Sequence, residues 1–200
     1  MLVIGLTGPS GAGKGEVSRL FAAHGVPVID ADKVYHNLLI PPSACLYELV
    51  YHFGPQILSP DKTLNRRALG EIVFSDDALL AKLNEITHRY VMAEIRKKMN
   101  ELRLDEVRAA VLDAPQLFEA GANKDCNIIV SVLADREVRI ERILQRDGID
   151  RATALRRIDA QKSDEFFRKH SDYVIENNGN LNTVLPIVKK ILLETGVITE

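Results

Sequence analysis

The sequence predicts an α/β protein with a five-stranded parallel sheet, and three observations agree on it. Short runs of β-branched and other apolar residues alternate with long amphipathic stretches, which is typical of parallel strands joined by crossover helices. Each run is almost entirely apolar, as strands are when helices cover both faces of a sheet. The 200 residues, 46% of them apolar, suit one folding unit with an inserted lobe. The predicted strands are Leu2–Leu6, Val26–Ile29, Ala109–Leu112, Ile128–Val132 and Tyr173–Ile175.

The segment between the second and third predicted strands, residues 32–105, repeats its apolar side chains at helical spacing, as Leu79 and Leu83 illustrate. Pro41-Pro42 and Gly54-Pro55 should divide it into shorter helices, because proline cannot continue a helix and biases the preceding residue toward extended geometry. We therefore predict a helical insertion.

A second helical stretch, residues 136–170, is rich in arginine, which indicates either a solvated face or a phosphate clamp. The remaining segments 1–31, 106–135 and 171–200 carry the predicted strands and form the predicted core. The arginines of the stretch are Arg136, Arg139, Arg142, Arg146, Arg151, Arg156, Arg157 and Arg168.

Charge and composition exclude several classes of partner. The formal net charge of -2 provides no basic field for nucleic acid or an anionic membrane. No apolar run approaches the length of a membrane span, and the short apolar N-terminus is predicted to be a strand rather than a signal peptide. Cys45 and Cys126 lack the spacing of a zinc site or a disulfide framework, so we expect buried thiols and a cytoplasmic setting.

The most informative motif, Gly8-Pro9-Ser10-Gly11-Ala12-Gly13-Lys14, lies between the first strand and a helical pattern. A glycine-rich turn into a helix directs backbone N–H groups at one point, where the helix dipole also favours an anion. The lysine supplies a charge for the β- and γ-phosphates, so the motif predicts a loop that binds the phosphates of ATP. The residues expected to contact the nucleotide are Gly8, Pro9, Ser10, Gly11, Ala12, Gly13, Lys14, Gly15 and Glu16.

The end of this loop departs from the usual pattern, in which a Ser or Thr after the lysine binds Mg²⁺. This chain has Gly15 and then Glu16, so a metal must depend on phosphate oxygens, water and carboxylates from elsewhere. Glu16 has two possible roles, as a helix-start carboxylate facing solvent or as a group linked to the metal.

Two acids, Asp30 and Asp32, follow the second predicted strand at the carboxyl edge of the sheet, where open α/β proteins bind ligands. Phosphoryl transfer needs a group that accepts the proton of the nucleophile and charges that stabilise the phosphates. On an extended chain the two side chains would point the same way, one toward the acceptor hydroxyl and Asp30 toward water bound to magnesium. The alternative is that Asp32 caps a helix beginning near Lys33.

A succession of fragments resembles the dephospho-coenzyme A kinases over nearly the whole chain. Any one fragment is weak, but their common order and spacing are specific. They are Ile29-Asp30-Ala31-Asp32 with Lys33 and His36, Leu64-Asn65-Arg66-Arg67-Ala68-Leu69, Ile86-Thr87-His88, Asp113-Ala114-Pro115, Gln145-Arg146-Asp147, Arg157-Ile158-Asp159-Ala160-Gln161 and Val174-Ile175-Glu176-Asn177-Asn178-Gly179. The chain has Arg89 where the family usually has proline, and Gln116 where it tends to have leucine.

The resemblance implies a P-loop kinase fold like that of the nucleoside monophosphate kinases, with an acceptor-binding insertion at residues 32–105 and a lid at 136–170. It implies transfer of phosphate from ATP to the ribose 3′-hydroxyl of dephospho-coenzyme A, with Mg²⁺. It also implies roles for individual residues: Asp32 as general base, Lys14, Arg142 and Arg146 at the transferring phosphate, Asn177 near adenine, and His36, Arg67 and His88 with Asp32 at the acceptor.

Two alternatives remain at this point. Another small P-loop kinase, of the adenylate, gluconate or shikimate type, would share the loop and the lid but would not be expected to carry the sequence from Phe53 to His88. A regulatory protein that holds ATP without transferring phosphate would suit the missing hydroxyl, but Asp32 and the arginine-rich lid argue against it.

Overall fold

The computed structural model describes residues 1–179 and 181–199 and contains a parallel sheet flanked by helices, which confirms the predicted fold class. The strands lie in the order β2-β3-β1-β4-β5, so the first strand is central. Its backbone pairs with β3 on one side, with Leu2 opposite Ala109, and with β4 on the other. The strands are β1 Leu2–Thr7, β2 Val28–Asp30, β3 Ala109–Asp113, β4 Ile128–Leu133 and β5 Tyr173–Glu176.

The second strand is shorter than predicted and begins at Val28 rather than at Val26. Pro27 precedes it and has no N–H to donate to a neighbouring strand. Its carbonyl still accepts a hydrogen bond from the Val111 N–H at 2.9 Å, so proline stands at the entrance of the ladder. Each of the other four strands ends one residue later than predicted.

The insertion is helical, as predicted. One of its helices ends at Asn37, before Pro41-Pro42, and the next ends at Phe53, before Gly54-Pro55. A single-turn 3-10 helix at Pro55–Ile57 follows the second break. The arginine-rich stretch forms three separate helices, the first of which ends where Gly148 adopts a positive φ of 64°. The helices are α1 Lys14–Ala23, α2 Ala31–Asn37, α3 Ala44–Phe53, α4 Arg66–Val73, α5 Asp77–Leu104, α6 Arg136–Asp147, α7 Arg151–Asp159, α8 Asp164–His170 and α9 Leu181–Glu194.

The chain divides into two compact units. The sheet unit comprises Met1–Ile29 and Leu102–Glu200, and the helical unit comprises Asp30–Glu101. In the sheet unit, apolar side chains of α1 and α9 pack with those of the strands, and Phe21 and Leu192 are completely buried. The helical unit has its own apolar cluster drawn from all four of its helices.

None of the helices that the structure describes is long and apolar enough to cross a membrane. Both cysteines are free thiols, Cys45 buried and Cys126 half-buried, as the sequence predicted. Burial raises the pKa of Cys45 to about 11 and that of Cys126 to about 12. Both thiols therefore stay protonated near neutral pH and behave as small apolar groups.

Candidate active site

The phosphate loop connects β1 to α1, as predicted, and its glycines leave no room for side chains. Gly11 has a φ of 81°, and a Cβ there would lie 2.5 Å from the backbone oxygen of Arg139. Gly13 has a φ of 89°, and a Cβ there would lie 2.1 Å from Asn177 Nδ2. Residues with a Cβ rarely adopt this left-handed backbone conformation, and a Cβ at either position would clash with its neighbours. Only glycine therefore allows the loop to follow this path.

Helix α1 begins at Lys14, directly after the loop. Gly13 occupies the N-cap position, and no side chain caps the helix. The first backbone N–H groups of a helix have no partner within it, and the helix dipole places positive charge at the same end. This arrangement is the one that binds phosphate at the start of a helix.

The Lys14 ammonium forms an ion pair with Asp113, which stands at the carboxyl end of β3. Only 5% of Asp113 is exposed. Our sequence reasoning assigned no role to this carboxylate. An acid as the last residue of a buried strand was the available signal, because strands β1 and β3 are neighbours and their carboxyl ends share one edge.

Two arginines of α6 donate hydrogen bonds to backbone carbonyls of the phosphate loop. Arg139 is 4% exposed, and its Nε donates to the Ser10 carbonyl at 3.0 Å, while the Ser10 N–H donates to Gln161 Oε1 at 3.0 Å. Burial lowers the pKa of the Arg139 guanidinium. Arg142 Nη1 donates to the carbonyls of Gly11, at 3.2 Å, and of Ala12, at 3.3 Å.

The interpretation of the arginine-rich stretch as a solvated face is therefore wrong for Arg139, which is buried and binds the loop backbone, while the phosphate clamp stays a prediction. Arg146 lies further along α6 and donates to Asp147 at 2.7 Å. Hydrogen bonds from Arg146 and Arg157 hold the pKa of Asp147 well below its ordinary value. The roles predicted for Arg142 and Arg146 in phosphate transfer stay predictions.

Asn177 is 1% exposed and lies against the loop. Its Nδ2 donates to the Ala12 carbonyl at 3.0 Å and, at 3.4 Å, to Glu16 Oε2. Its backbone carbonyl accepts from Arg142 at 2.9 Å. The buried Asn177 Oδ1 has no hydrogen-bond partner among the residues that the structure describes, so Asn177 brings an unpaired acceptor to the loop.

The acidic pair of the helical unit differs from the prediction in two respects. Helix α2 begins at Ala31, and its cap is Asp30, whose Oδ1 accepts from the Lys33 N–H at 3.0 Å. Asp32 lies inside the first helical turn, so neither the extended geometry nor an Asp32 cap is correct. A strand that ends directly in a helix leaves the capping position to its last residue. The metal role predicted for Asp30 stays a prediction.

The predicted acceptor residues occupy different helices of the helical unit. His36 lies on α2, one turn after Asp32, and is in contact with Arg66, the first residue of α4. Arg67, which we predicted at the acceptor, is exposed and pairs with Glu71 at 2.9 Å, and its role stays a prediction. His88 is half-buried on α5.

The structure accounts for Arg89, the residue that replaces the family's usual proline. Its guanidinium donates to both oxygens of Glu48, at 2.5 Å each, and the Tyr90 hydroxyl donates to the same carboxylate at 2.8 Å. These hydrogen bonds, that of Tyr90 first, lower the pKa of Glu48. Arg89 therefore links α5 to α3 within the helical unit.

The residues at the loop suit Mg²⁺ held chiefly by its substrate. Within the described ranges, no group of three or more His, Cys, Asp or Glu side chains could form a protein-only metal cage. Mg²⁺ in kinases is commonly held by one or two carboxylates together with phosphates and water. Asp113, at the edge that carries the loop, is a carboxylate of this kind.

Comparison with known proteins agrees with this geometry. A sequence profile described as dephospho-CoA kinase matches residues 2–183. The dephospho-CoA kinase of Lactobacillus johnsonii is 35% identical over 193 residues, which are 96% of this chain and 98% of that protein.

Two solved structures extend the likeness to the fold. TT1252 from Thermus thermophilus superposes with a TM-score of 0.82 at 31% identity, over 96% of this chain and 97% of that one. The dephospho-CoA kinase from Campylobacter jejuni superposes with a TM-score of 0.71 at 26% identity, over 96% of each chain. The geometry of the phosphate loop and the matches over nearly the whole chain together show that the chain belongs to the dephospho-CoA kinase family.

Proposed function

We propose that this protein transfers the γ-phosphoryl group of ATP to the ribose 3′-hydroxyl of dephospho-coenzyme A, producing coenzyme A and ADP. The observation that carries the proposal is the family match over residues 2–183, which includes the helical unit as well as the phosphate loop. A match confined to the loop would support only nucleotide binding. The matched helical unit is what favours dephospho-coenzyme A over the acceptors of other small P-loop kinases.

The sheet unit would bind the triphosphate. Backbone N–H groups at the uncapped start of α1 would face the phosphates, and the Lys14 ammonium would add a positive charge beside the β- and γ-phosphates. The Lys14 ammonium now pairs with Asp113, so bound phosphate would share or replace that partner. Arg139 and Arg142 keep the loop carbonyls turned away from the anion, because each carbonyl that they bind points toward a guanidinium.

The helical unit would supply the base. Asp32 is exposed in the first turn of α2, where its carboxylate can accept the proton of the 3′-hydroxyl. As the hydroxyl oxygen forms its bond to the γ-phosphorus, the bond to the bridging oxygen breaks and ADP leaves with that electron pair. His36 and His88 are proposed to contact the acceptor, and Asn177 the adenine side of ATP.

We propose that residues 136–170 act as a lid whose first helix is attached to the phosphate loop. Arg139 and Arg142 attach the middle of α6 to the phosphate loop. Arg146 is exposed beyond these anchors, and closure would bring it to the transferring phosphate. Arg142 would stabilise the same charge through guanidinium nitrogens other than Nη1, which the loop carbonyls occupy.

Asp113 would hold Mg²⁺ together with the phosphates, and the metal, when bound, would neutralise charge on the β- and γ-oxygens. Asp113 is suited to this because it is nearly buried beside Lys14. We place the reaction in the cytoplasm, where free thiols such as Cys45 and Cys126 remain reduced.

The direct test is ADP formation by the purified protein with Mg·ATP and, in separate reactions, dephospho-coenzyme A, AMP, gluconate or shikimate. We expect turnover with dephospho-coenzyme A and at most background with the others. Turnover with another acceptor alone would transfer the chain to that class of kinase. ATP binding without turnover on any acceptor would favour a regulatory nucleotide-binding protein.

A further inference from the structure

Arg66 and His36 are in contact on the surface of the helical unit. Arg66 Nη2 lies 3.1 Å from His36 Nδ1 and 3.4 Å from His36 Nε2, although the two residues are 30 positions apart in the chain. The Arg66 guanidinium carbon also lies 6.0 Å from the centre of the Tyr35 ring. Both members of the pair are exposed, so a ligand can reach them.

Arg66 differs from two other arginines of the same unit in having an imidazole, rather than a carboxylate, as its partner. Arg67 pairs with Glu71 at 2.9 Å, and Arg89 pairs with Glu48 at 2.5 Å. A neutral imidazole can accept a hydrogen bond and thereby position the guanidinium without neutralising its charge.

The pair also lies one helical turn from the candidate base. Asp32 and His36 are four residues apart on α2, so their side chains project from neighbouring positions on one face, with Cβ atoms on the order of 5–6 Å apart. An acceptor that presents its hydroxyl to Asp32 can therefore extend toward His36 and Arg66. Whatever group reaches them meets a fixed positive charge.

Dephospho-coenzyme A carries a diphosphate at a distance from its 3′-hydroxyl that matches the spacing between Asp32 and the Arg66–His36 contact. Its diphosphate is attached to the 5′ carbon of the same ribose whose 3′-hydroxyl is phosphorylated, so about one sugar ring separates the two groups. That separation is comparable with one helical turn. A guanidinium presents two parallel N–H donors that match a pair of phosphate oxygens, which an ammonium cannot do.

We infer that Arg66, positioned by His36, binds the diphosphate of the acceptor and thereby directs the ribose hydroxyl to Asp32. This inference rests on the proposed function and names a contact that discriminates among acceptors. Uncharged sugars and sugar acids without a phosphate would not use it. Arg66 is thus assigned to substrate binding, and His36, besides its proposed contact with the acceptor, positions the Arg66 guanidinium.

The test compares Arg66→Met and Arg66→Lys with a control, Lys82→Met, which removes a cation of the same unit that is paired with Glu85 and has no assigned role. Binding of dephospho-coenzyme A and of ATP is measured separately by calorimetry, and KM and kcat by steady-state kinetics. We expect Arg66→Met to weaken acceptor binding and raise the acceptor KM about 10- to 100-fold, as loss of a charge-assisted hydrogen bond does. ATP affinity should be unchanged.

Arg66→Lys should recover part of the loss, because it restores the charge without the paired donors. Lys82→Met should change acceptor KM less than about 2-fold, because its surface ion pair with Glu85 contributes little. Equal effects of Arg66→Met and Lys82→Met, or an unchanged acceptor KM in Arg66→Met, would overturn the inference while leaving the proposed function intact. Absence of turnover by the unmodified protein would instead overturn the proposed function itself.

Discussion

At the scale of single residues, Gly15 stands where a phosphate loop ordinarily presents a hydroxyl to Mg²⁺. Steric crowding does not explain the glycine, because a Cβ built there has nothing within 4 Å. Its φ lies outside the left-handed region, and the residue is part of α1. A side chain can therefore be added at this position without strain.

We predict that Gly15→Ser strengthens binding of Mg²⁺ to the nucleotide complex severalfold, because it adds the missing hydroxyl ligand. The measurement is calorimetric titration of Mg²⁺ into protein with bound ADP. The control is Gly15→Ala, which adds the Cβ and raises helix propensity over glycine without the oxygen. Similar Mg²⁺ affinity in the two variants would show that the position does not reach the metal.

Asp32 leads to a second prediction for a single residue. Asp32→Asn should lower kcat about 10²- to 10⁴-fold, because an amide cannot accept the hydroxyl proton, while the Kd for ATP changes little. Asp76→Asn is the matched control, since Asp76 is an exposed acid at the start of α5 in the same unit, where asparagine can replace it as an acceptor for the Ala78 N–H. An unchanged kcat in Asp32→Asn, or an equal loss in the two variants, would remove Asp32 from the role of base.

At the scale of elements, α6 connects the arginine-rich stretch to the phosphate loop. Its apolar side, with Ile140 and Ile143 completely buried, packs against Ala154 and Ile158 of α7. The buried Arg139 side chain projects from this helix and donates a hydrogen bond to the Ser10 carbonyl of the loop. One helix therefore both organises the proposed lid and fixes the loop.

We predict that Arg139→Met lowers the free energy of unfolding by about 2–4 kcal/mol, because the Ser10 carbonyl loses its buried guanidinium donor, and weakens ATP binding about 10-fold. Arg136→Met is the control on the same helix, since Arg136 is exposed and paired with Asp159. That variant should cost less than about 1 kcal/mol. Urea unfolding and nucleotide titration measure both quantities, and equal effects of the two variants would contradict the support role of Arg139.

At the scale of the whole molecule, each unit contains its own apolar cluster. Leu49 is fully buried in the cluster of the helical unit, and Leu192 is fully buried in that of the sheet unit. Separate cores allow one region to open while the other keeps its structure.

We predict that Leu49→Ala destabilises the helical unit by about 2–5 kcal/mol and leaves the sheet unit protected. Hydrogen exchange should then accelerate in α3 and α4 but not in β1 or β4. Leu192→Ala, a substitution of the same size in the other core, should produce the opposite pattern. Uniform acceleration over both units in either variant would indicate a single cooperative core.

Agreement between sequence and structure was best where the information is local. The phosphate loop was predictable because its glycines, lysine, strand and helix are consecutive, and the same holds for helix breaks at Pro41-Pro42. The cap of α2 is Asp30, whereas the sequence favoured an extended acidic pair and offered Asp32 as a cap only as the alternative. The cap depends on where the strand ends, and strand pairing is not visible in a single segment.

The sequence by itself determined the α/β class, the strand and helix order, the phosphate loop and, through its succession of motifs, the family. Tertiary structure alone decided that Arg66 rather than Arg67 meets His36, that Arg139 is buried beneath Ser10, and that Asp113 pairs with Lys14. The physical reason is that backbone propensities and apolar periodicity act over a few residues. The partner of a charged side chain is set by the distance-dependent packing of segments far apart in the chain.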